Sequence, residues 1–226
     1  MYLRKFFDWF FPRVIDKKFS SINGEIQVIE QFGKRKIVVG GLTQSGGLVE
    51  EIWKKGLSAI SNKLSTINNC LILGLGGGTV AKLISNFKFQ SAGWRTNFKI
   101  TGIEIDPLMI DLGKKYLGLG EIKNLEIVVD DAFDWVNSQQ STVNSQQFDL
   151  VLVDLYLGQR VPKEVESEEF LKNVKRILAK NGIVIFNRLV AKNRKNEPAV
   201  FLDKLKKIFD DVKVVTPICN KVFICR

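Results

Sequence analysis

Short apolar runs alternate with helical patterns along the chain from about residue 69 onward. Each run is long enough for a buried strand, and between the runs apolar residues recur every three or four positions. This alternation is typical of a parallel sheet that is covered by helices on both faces. The pattern predicts strands at residues 70–73, 100–104, 125–129, 150–154 and 183–186.

Two further apolar segments near the end of the sequence, residues 212–215 and 221–225, flank a turn and predict an antiparallel hairpin. A terminal antiparallel pair added to a Rossmann-like sheet resembles the class I methyltransferase-like folds and differs from the dehydrogenase arrangement. We therefore expect an α/β fold with a mostly parallel seven-stranded sheet and an antiparallel C-terminal strand.

The first part of the chain has a different pattern. Apolar residues alternate with polar ones on both sides of a turn at residues 32–34, which predicts a β-hairpin. Residues 40–47 are glycine-rich and are expected to form a flexible connector, and residues 48–64 an amphipathic helix. We therefore predict a small N-terminal hairpin module, residues 1–45, that precedes a main domain, residues 46–226.

Four large apolar side chains share one helical face near the start of the sequence: Leu3, Phe6, Phe7 and Phe10. Packing of this face on the body of the protein is favoured over contact with a partner or weak attachment to a membrane surface. The exposed hairpin module and this aromatic segment also make a homodimer plausible. No apolar run approaches the roughly 20 residues that span a bilayer, so no transmembrane segment is predicted.

The net charge of +10 is unevenly distributed. Residues 171–213 contain twelve Lys and Arg against four acidic residues. A nucleic-acid partner would explain this bias, but solvated lysine-rich helices give the same count, so we rank that partner below a small molecule.

The absence of histidine restricts the chemistry. It excludes Ser-His and Cys-His nucleophile systems and histidine metal sites, and no metal is predicted. A general base must be a carboxylate, Lys or Tyr. The three cysteines form no disulfide framework, which fits a reducing, cytoplasmic location.

A glycine turn follows the first predicted strand of the main domain and precedes a helical pattern. Glycine permits positive φ and a close approach of a ligand to the backbone, and the helix start presents free N–H groups. The turn has neither the last glycine of the dinucleotide fingerprint, where Thr79 stands, nor the Gly-Lys of a Walker loop. So many glycines favour a ligand site over a tight turn alone; they are Gly74, Gly76, Gly77 and Gly78.

Acidic residues end the next three strands, where open α/β sheets bind their ligands. Glu104 is expected to accept the hydroxyls of a ribose, whereas Asp106, followed by proline, is expected to cap a helix. One of Asp130 and Asp131 is expected to cap the following helix and the other to bind an exocyclic amine. Asp154 is either a general base, a binding group for a cationic substrate, or a loop hydrogen-bond acceptor.

These motifs, in this order, resemble the spermidine synthase (polyamine aminopropyltransferase) family of the class I S-adenosylmethionine-dependent methyltransferase-like superfamily. The resemblance includes the hairpin module, the glycine turn and the segments at 104–107, 131–133, 148–154 and 170–182. It implies that Glu104 holds a ribose, that Asp131 binds the adenine amine and that Asp154 deprotonates the attacking amine. It also implies nucleoside contacts from Gln44, Asp130 and Ala132 and a substrate contact from Tyr156.

The chain departs from the family pattern at the acceptor side. Gly77 stands where the family has an aspartate that holds the aminopropyl amine, and Leu157 replaces a second aspartate. Trp53 and Lys54 stand where the family has a Tyr-His pair, and Phe170 lies near the position of a tyrosine that contacts substrate in the family. Polyamine recognition residues are therefore partly missing, and the loss at residue 77 removes one reason to prefer a decarboxylated donor.

The sequence thus predicts a transferase that binds S-adenosylmethionine or decarboxylated S-adenosylmethionine. It would transfer a methyl or aminopropyl group to a small-molecule amine. Two alternatives stay open: a methyltransferase acting on RNA or a small molecule, and a catalytically inactive binding or scaffold homologue. Enzymes that methylate the amino groups of nucleic-acid bases use an Asn/Asp-Pro-Pro-Tyr segment. Here Asp154 is followed by Leu-Tyr-Leu, which argues against methylation of a nucleic-acid base.

Overall fold

The structure is a computed structural model that describes residues 11–89, 98–139, 147–158, 160–190 and 197–226; the side chains of residues 87–89 are not described. The predicted aromatic face at residues 3–10 lies outside this range. None of the helices in the described part of the chain is long and apolar enough to cross a bilayer.

An antiparallel four-stranded sheet, ordered β1-β2-β3-β4, forms the N-terminal part of the fold. Its strands are β1 Arg13–Ser20, β2 Gly24–Gln31, β3 Lys34–Val39 and β4 Leu42–Ser45. The predicted hairpin is β2–β3, whose turn residues Phe32 and Gly33 both have positive φ. The prediction of a flexible connector was wrong, because Gly40 and Gly41, also with positive φ, form a second hairpin turn and the residues after them pair with β3.

The second sheet has seven strands in the order β10-β11-β9-β8-β5-β6-β7. Strands β5 to β9 are parallel, and β11 lies antiparallel between β9 and β10, so the predicted fold is confirmed. The strands are β5 Asn69–Leu73, β6 Lys99–Glu104, β7 Leu125–Val129, β8 Phe148–Val153, β9 Leu178–Leu189, β10 Val212–Val215 and β11 Asn220–Cys225.

Helices cover both faces of this sheet. They are α1 Leu48–Ser58, α2 Ser61–Leu64, α3 Thr79–Phe89, α4 Pro107–Tyr116, α5 Ala132–Ser138, α6 Glu168–Arg176 and α7 Glu197–Ile208. The single helix predicted for residues 48–64 is in fact two, since α1 ends before Ala59. The apolar spacing hid this break because Ile60 and Leu64 remain buried beyond it.

Three apolar clusters organise the packing. One lies between the seven-stranded sheet and helices α1 and α3, and another between the sheet and α5, α6 and α7. In the third, the N-terminal sheet packs on α4 through Ile26, Val28, Ile37, Val39, Met109 and Leu112. The N-terminal sheet is therefore held against the helix that follows β6.

The order of the strands reverses between β5 and β8. The chain places β6 and β7 on one side of β5 and then returns to place β8 on the other side. In open α/β sheets a crevice forms at such a reversal, beyond the carboxyl ends of the strands.

Candidate functional site

A cavity of about 470 Å³ occupies this crevice. Its floor is the carboxyl ends of β5, β6, β8 and β9, and residues of β4 and of the start of α1 form its opposite wall. Both sheets of the protein therefore contribute to one site.

Two of the four glycines of the turn line the cavity. Gly74 and Gly76 have φ values of +87° and +55°, which L side chains rarely adopt. A Cβ atom on Gly74 would collide with the backbone carbonyl of Asp154, and one on Gly76 would lie 2.8 Å from Ser45 Oγ. Glycine is required at both positions because the backbone passes so close to the neighbouring wall.

Gly77 and Gly78, which the sequence predicts to bind the ligand together with Gly74 and Gly76, do not line the cavity. A Cβ on Gly77 would lie 2.7 Å from Ile37 Cδ1 and 2.9 Å from Leu117 Cδ1. The Gly77 N–H donates to Ser45 Oγ at 2.7 Å. A Cβ on Gly78 would collide with Leu119. These two glycines let the turn pack closely against its neighbours, and a carboxylate at residue 77 would require Ile37 and Leu117 to shift.

Glu104, at the end of β6, is buried and faces the glycine turn. Its Oε2 accepts a hydrogen bond from Gly76 N at 2.6 Å and its Oε1 one from Asp106 N at 3.0 Å. Burial raises the pKa of the Glu104 carboxyl, and these two backbone bonds oppose the shift. Each carboxylate oxygen has a second lone pair, so the group is able to accept ligand hydroxyls as well.

Asp106 caps α4, as predicted. Its Oδ1 accepts from Leu108 N at 3.0 Å, and Pro107 occupies the first helical position. The other oxygen accepts from Ser20 Oγ and from Asn23 Nδ2. These two bonds to the N-terminal sheet were not foreseen, because nothing local in the sequence relates residues 20 and 106.

Of the acidic pair after β7, Asp131 is the helix cap. Its Oδ1 accepts from the backbone N–H groups of Phe133 and Asp134, at 2.7 and 3.3 Å. Its Oδ2 accepts no hydrogen bond from the described residues. Asp130 accepts from Asp131 N at 2.8 Å. Both carboxylates line the cavity beside Ala132, so the capping role of Asp131 still leaves one oxygen for a ligand.

Asp154 lies at the carboxyl end of β8 and lines the opposite side of the cavity. Its Oδ2 accepts from Trp53 Nε1 at 2.7 Å and its Oδ1 from Asn187 Nδ2 at 2.8 Å. Burial raises the pKa of the Asp154 carboxyl, while the two N–H donors and the positive charge of Arg188 oppose the shift.

Tyr156 and Gln44 make structural bonds at the rim. The Tyr156 hydroxyl accepts from Leu189 N at 2.7 Å and donates to the Asn187 carbonyl oxygen at 3.2 Å. Gln44 Nε2 donates to the Gly158 carbonyl oxygen at 2.8 Å, which links β4 to the loop after β8. Both side chains line the cavity.

The positions that depart from the family pattern lie in different places. Trp53 is fully buried and contacts Asp154, whereas Lys54 points outward and pairs with Glu50 and Glu51 at 2.7 and 3.2 Å. Leu157 lines the cavity. Phe170 is buried in the core, with its ring stacked on that of Phe133.

Sequence analysis missed two asparagines that line the cavity, Asn187 and Asn220. The first ends an apolar run in β9, and the second begins β11. A polar residue at the carboxyl end of a core strand was the available signal for Asn187, the same signal that identified Asp154.

The charge of the cavity is opposite to that of the whole chain. Neither Lys nor Arg is among the described residues that line it. Such a site favours a positively charged ligand. Its acidic residues are Glu104, Asp130, Asp131, Asp134, Asp154 and Glu164.

Comparison with known proteins places this geometry in context. The family described as Spermine/spermidine synthase domain matches residues 49–224. The polyamine aminopropyltransferase of Vibrio vulnificus (strain CMCP6) is 26% identical over 117 residues, which are 52% of this chain but only 36% of that relative.

Two solved structures share the fold. Human methyltransferase-like protein 13 in complex with SAH has a TM-score of 0.65 at 21% identity and covers 80% of this chain and 82% of its own. A spermidine synthase in complex with the transition state analogue AdoDATO has a TM-score of 0.74 at 18% identity and covers 94% of this chain and 73% of its own.

Proposed function

The chain belongs to the spermine/spermidine synthase domain family, and we propose that it is a transferase that takes an alkyl group from an S-adenosyl nucleoside and adds it to an amine. One observation carries the proposal. Glu104 and Asp154 face the same cavity from opposite sides of the turn that contains Gly74 and Gly76. A nucleoside end and a reaction end are therefore close enough for a single small ligand.

The described residues fit an S-adenosyl nucleoside at the Glu104 end. The backbone of the glycine turn allows close approach, and the free lone pairs of Glu104 suit the two hydroxyls of a ribose. The uncommitted oxygen of Asp131, with Asp130 beside it, suits the exocyclic amine of adenine. The negative lining is complementary to a sulfonium.

The Asp154 end suits an amine acceptor. A bound S-adenosyl donor supplies a carbon that is activated by a positively charged sulfur. When the amine nitrogen bonds to that carbon, the carbon–sulfur bond breaks, its electron pair stays on sulfur, and the nitrogen releases a proton. Asp154 accepts that proton or directs it outward. Leu155, Leu157 and Val165 form apolar walls here that exclude water.

Methyl transfer from S-adenosylmethionine is the specific reaction we propose. Residue 77 is a glycine that packs closely against Ile37 and Leu117, so this position supplies no carboxylate to hold the ammonium of an aminopropyl group. Aminopropyl transfer is a second candidate, and the acidic lining favours it. Decarboxylated S-adenosylmethionine lacks a carboxylate and therefore carries more positive charge.

Calorimetry with S-adenosylmethionine, its decarboxylated form, S-adenosylhomocysteine and methylthioadenosine tests the nucleoside site. We expect S-adenosylmethionine and S-adenosylhomocysteine to bind. Preference for the decarboxylated form would replace methyl by aminopropyl transfer. Binding of none of the four would overturn the proposal and favour the scaffold interpretation.

Mass spectrometry of products from a panel of amines, among them putrescine and lysine peptides, then identifies the transferred group and the acceptor. Asp154→Asn is the test variant. Asp203→Asn is the matched control, since Asp203 is exposed on α7 and does not line the cavity. Equal turnover of wild type and Asp154→Asn would remove Asp154 from the reaction.

A further inference from the structure

A hydrogen-bonded chain of buried side chains runs from the C-terminal hairpin to Asp154. Asn220 Nδ2, at the start of β11, donates to Asn187 Oδ1 at 2.8 Å. Asn187 Nδ2, in β9, donates to Asp154 Oδ1 at 2.8 Å. Trp53 Nε1, in α1, donates to Asp154 Oδ2 at 2.7 Å. Two elements that are distant in sequence, α1 and β9, therefore meet at one carboxylate, and β11 supports the second of them.

The direction of every bond in this chain is fixed. An indole N–H donates and never accepts, so Asp154 Oδ2 must be the acceptor. Because an ionised carboxylate only accepts, the amide nitrogen of Asn187 has to face Asp154, which leaves Asn187 Oδ1 to accept from Asn220. Both carboxylate oxygens thus receive N–H donors, an arrangement that stabilises the ionised form relative to the protonated one.

Burial indicates that this network has a purpose beyond packing. Trp53 is 0% exposed, and Asn187 and Asn220 are each 4% exposed. A buried amide costs free energy unless it is hydrogen-bonded, and apolar residues would fill the same space without that requirement. In this site the two amides are satisfied by each other and by Asp154.

Other ionisable groups surround Asp154 and enter any pH dependence. Arg188, on β9, favours the ionised form of Asp154. Tyr156 is close enough for Asp154 to raise the pKa of the phenol, although burial contributes more. Cys219 and Glu164 line the same cavity on the acceptor side. Across the cavity lie the carboxylates of the nucleoside end: Glu104, Asp130, Asp131 and Asp134. From α1, the one polar contact to Asp154 is that of Trp53.

We infer that Trp53, Asn187 and Asn220 are positioning residues that hold Asp154 ionised, with its unused lone pairs turned toward the amine acceptor. The inference rests on the proposed function of Asp154. In this arrangement the carboxylate of Asp154 is oriented and charged before the amine acceptor binds.

The Trp53 indole N–H gives a direct readout that needs no substrate. Its proton resonance in a ¹⁵N-correlated spectrum should move as Asp154 titrates, and Asp154→Asn identifies that movement by abolishing it. Asn187→Ser removes one donor to the carboxylate, and Asn220→Ala removes the support of Asn187. We expect the Asn187→Ser midpoint to rise by roughly one to two pH units, because the ionised carboxylate loses one of its N–H donors. Asn220→Ala should give a smaller rise.

Midpoints that coincide in the wild type and both variants, or the absence of a titration in either variant, would overturn the inference. Dispersed spectra with the remaining resonances in place show that the variants fold. Asn137→Ser is a matched control, because its side chain accepts from the buried amide of Asn173 at a distance from the cavity.

Kinetics separate this inference from the proposed function. If the wild type transfers a group to an amine, Trp53→Phe should lower kcat and raise the acidic midpoint of the pH–kcat profile, with nucleoside affinity unchanged. An unshifted profile in an active Trp53→Phe enzyme would contradict the positioning role alone. A wild type that binds no nucleoside would contradict the proposed function, while the Trp53 titration would still test the network.

Discussion

The two ends of the cavity are built in different ways. At the nucleoside end, the carboxylates assigned to the ligand bond to the turn or helix beside their strand ends: Glu104 to Gly76, and Asp131 to its own helix. At the acceptor end, Asp154 is held by Trp53 and Asn187, which lie 101 and 33 residues away in sequence. The ligand carboxylates of the first end are held by their sequence surroundings, whereas Asp154 is held by side chains that only the completed fold brings to it.

Positions that keep the family pattern and positions that lose it occur at both ends of the cavity and elsewhere in the fold. Gly74, Gly76 and the strand-end carboxylates line one cavity, whereas Gly77 and Gly78 do not. Of the departures, Trp53 contacts Asp154 and Leu157 lines the cavity, whereas Gly77, Lys54 and Phe170 lie elsewhere. Because the two ends are held in different ways, we expect substitutions at the two ends to affect different measurements.

The largest effect is expected for Asp154→Asn. Loss of a positioned proton acceptor should lower kcat by about 10²–10⁴-fold. Calorimetry should show unchanged affinity for S-adenosylmethionine, because no assigned nucleoside contact is lost. A matching loss of nucleoside affinity would mean that the two ends are not separable.

The converse effect is expected for Glu104→Gln. Hydrogen bonds to a charged group contribute about 1.5–3 kcal/mol, so the affinity for the nucleoside should fall by roughly 10–100-fold. The kcat at saturating nucleoside should change much less. Calorimetry and saturation kinetics measure the two quantities, and unchanged affinity would argue against a ribose contact.

Gly77→Asp tests whether the acceptor side is closed to the missing carboxylate. The new side chain would press on Ile37 and Leu117, and such overpacking destabilises proteins by about 1–3 kcal/mol. Gly120→Asp is the control, since a Cβ there meets only Lys114 Cγ at 3.8 Å. Urea unfolding of both variants measures the difference. Equal stability, together with new activity toward the decarboxylated donor, would show that the position is open.

The smallest effect is expected for Asp131→Ser, which separates helix capping from ligand binding. Serine is as good an N-cap as aspartate, so stability should be retained, whereas Asp131→Ala should lose about 1 kcal/mol. Nucleoside affinity should fall by roughly tenfold or less in both variants. If serine restores both stability and affinity, Asp131 is a cap and nothing more.

Much of the architecture follows from the sequence pattern. The buried strands of a parallel sheet are continuous apolar runs, so β5 to β9 were predictable. Strand β1 was not, because most of its residues are exposed and a bulge between Val14 and Asp16 interrupts its alternation. Strand β4 was hidden because its turn glycines resemble those of a flexible connector.

The site divides in the same way. The cap at Asp106 was predictable from the few residues around it, whereas the sequence left open which of Asp130 and Asp131 is the cap. The bonds from Trp53 and Asn187 to Asp154 were not, because periodicity places a residue on a face of an element without showing which distant side chain it meets. Likewise, the sequence does not distinguish Gly77 from the glycines that line the cavity. Only its close packing against Ile37 and Leu117 shows that its role is different.

The bonds from Ser20 and Asn23 to Asp106 have a consequence for how the polypeptide is divided. The sequence suggests a cut between residues 45 and 46, but Ile26, Val28, Ile37 and Val39 pack directly on α4, and Ser45 holds the amide of Gly77. A shortened chain starting at residue 46 would leave Met109 and Leu112 uncovered and the glycine turn without its support. The amino-terminal strands are thus part of the scaffold of the cavity, and truncation there is expected to yield an aggregation-prone fragment.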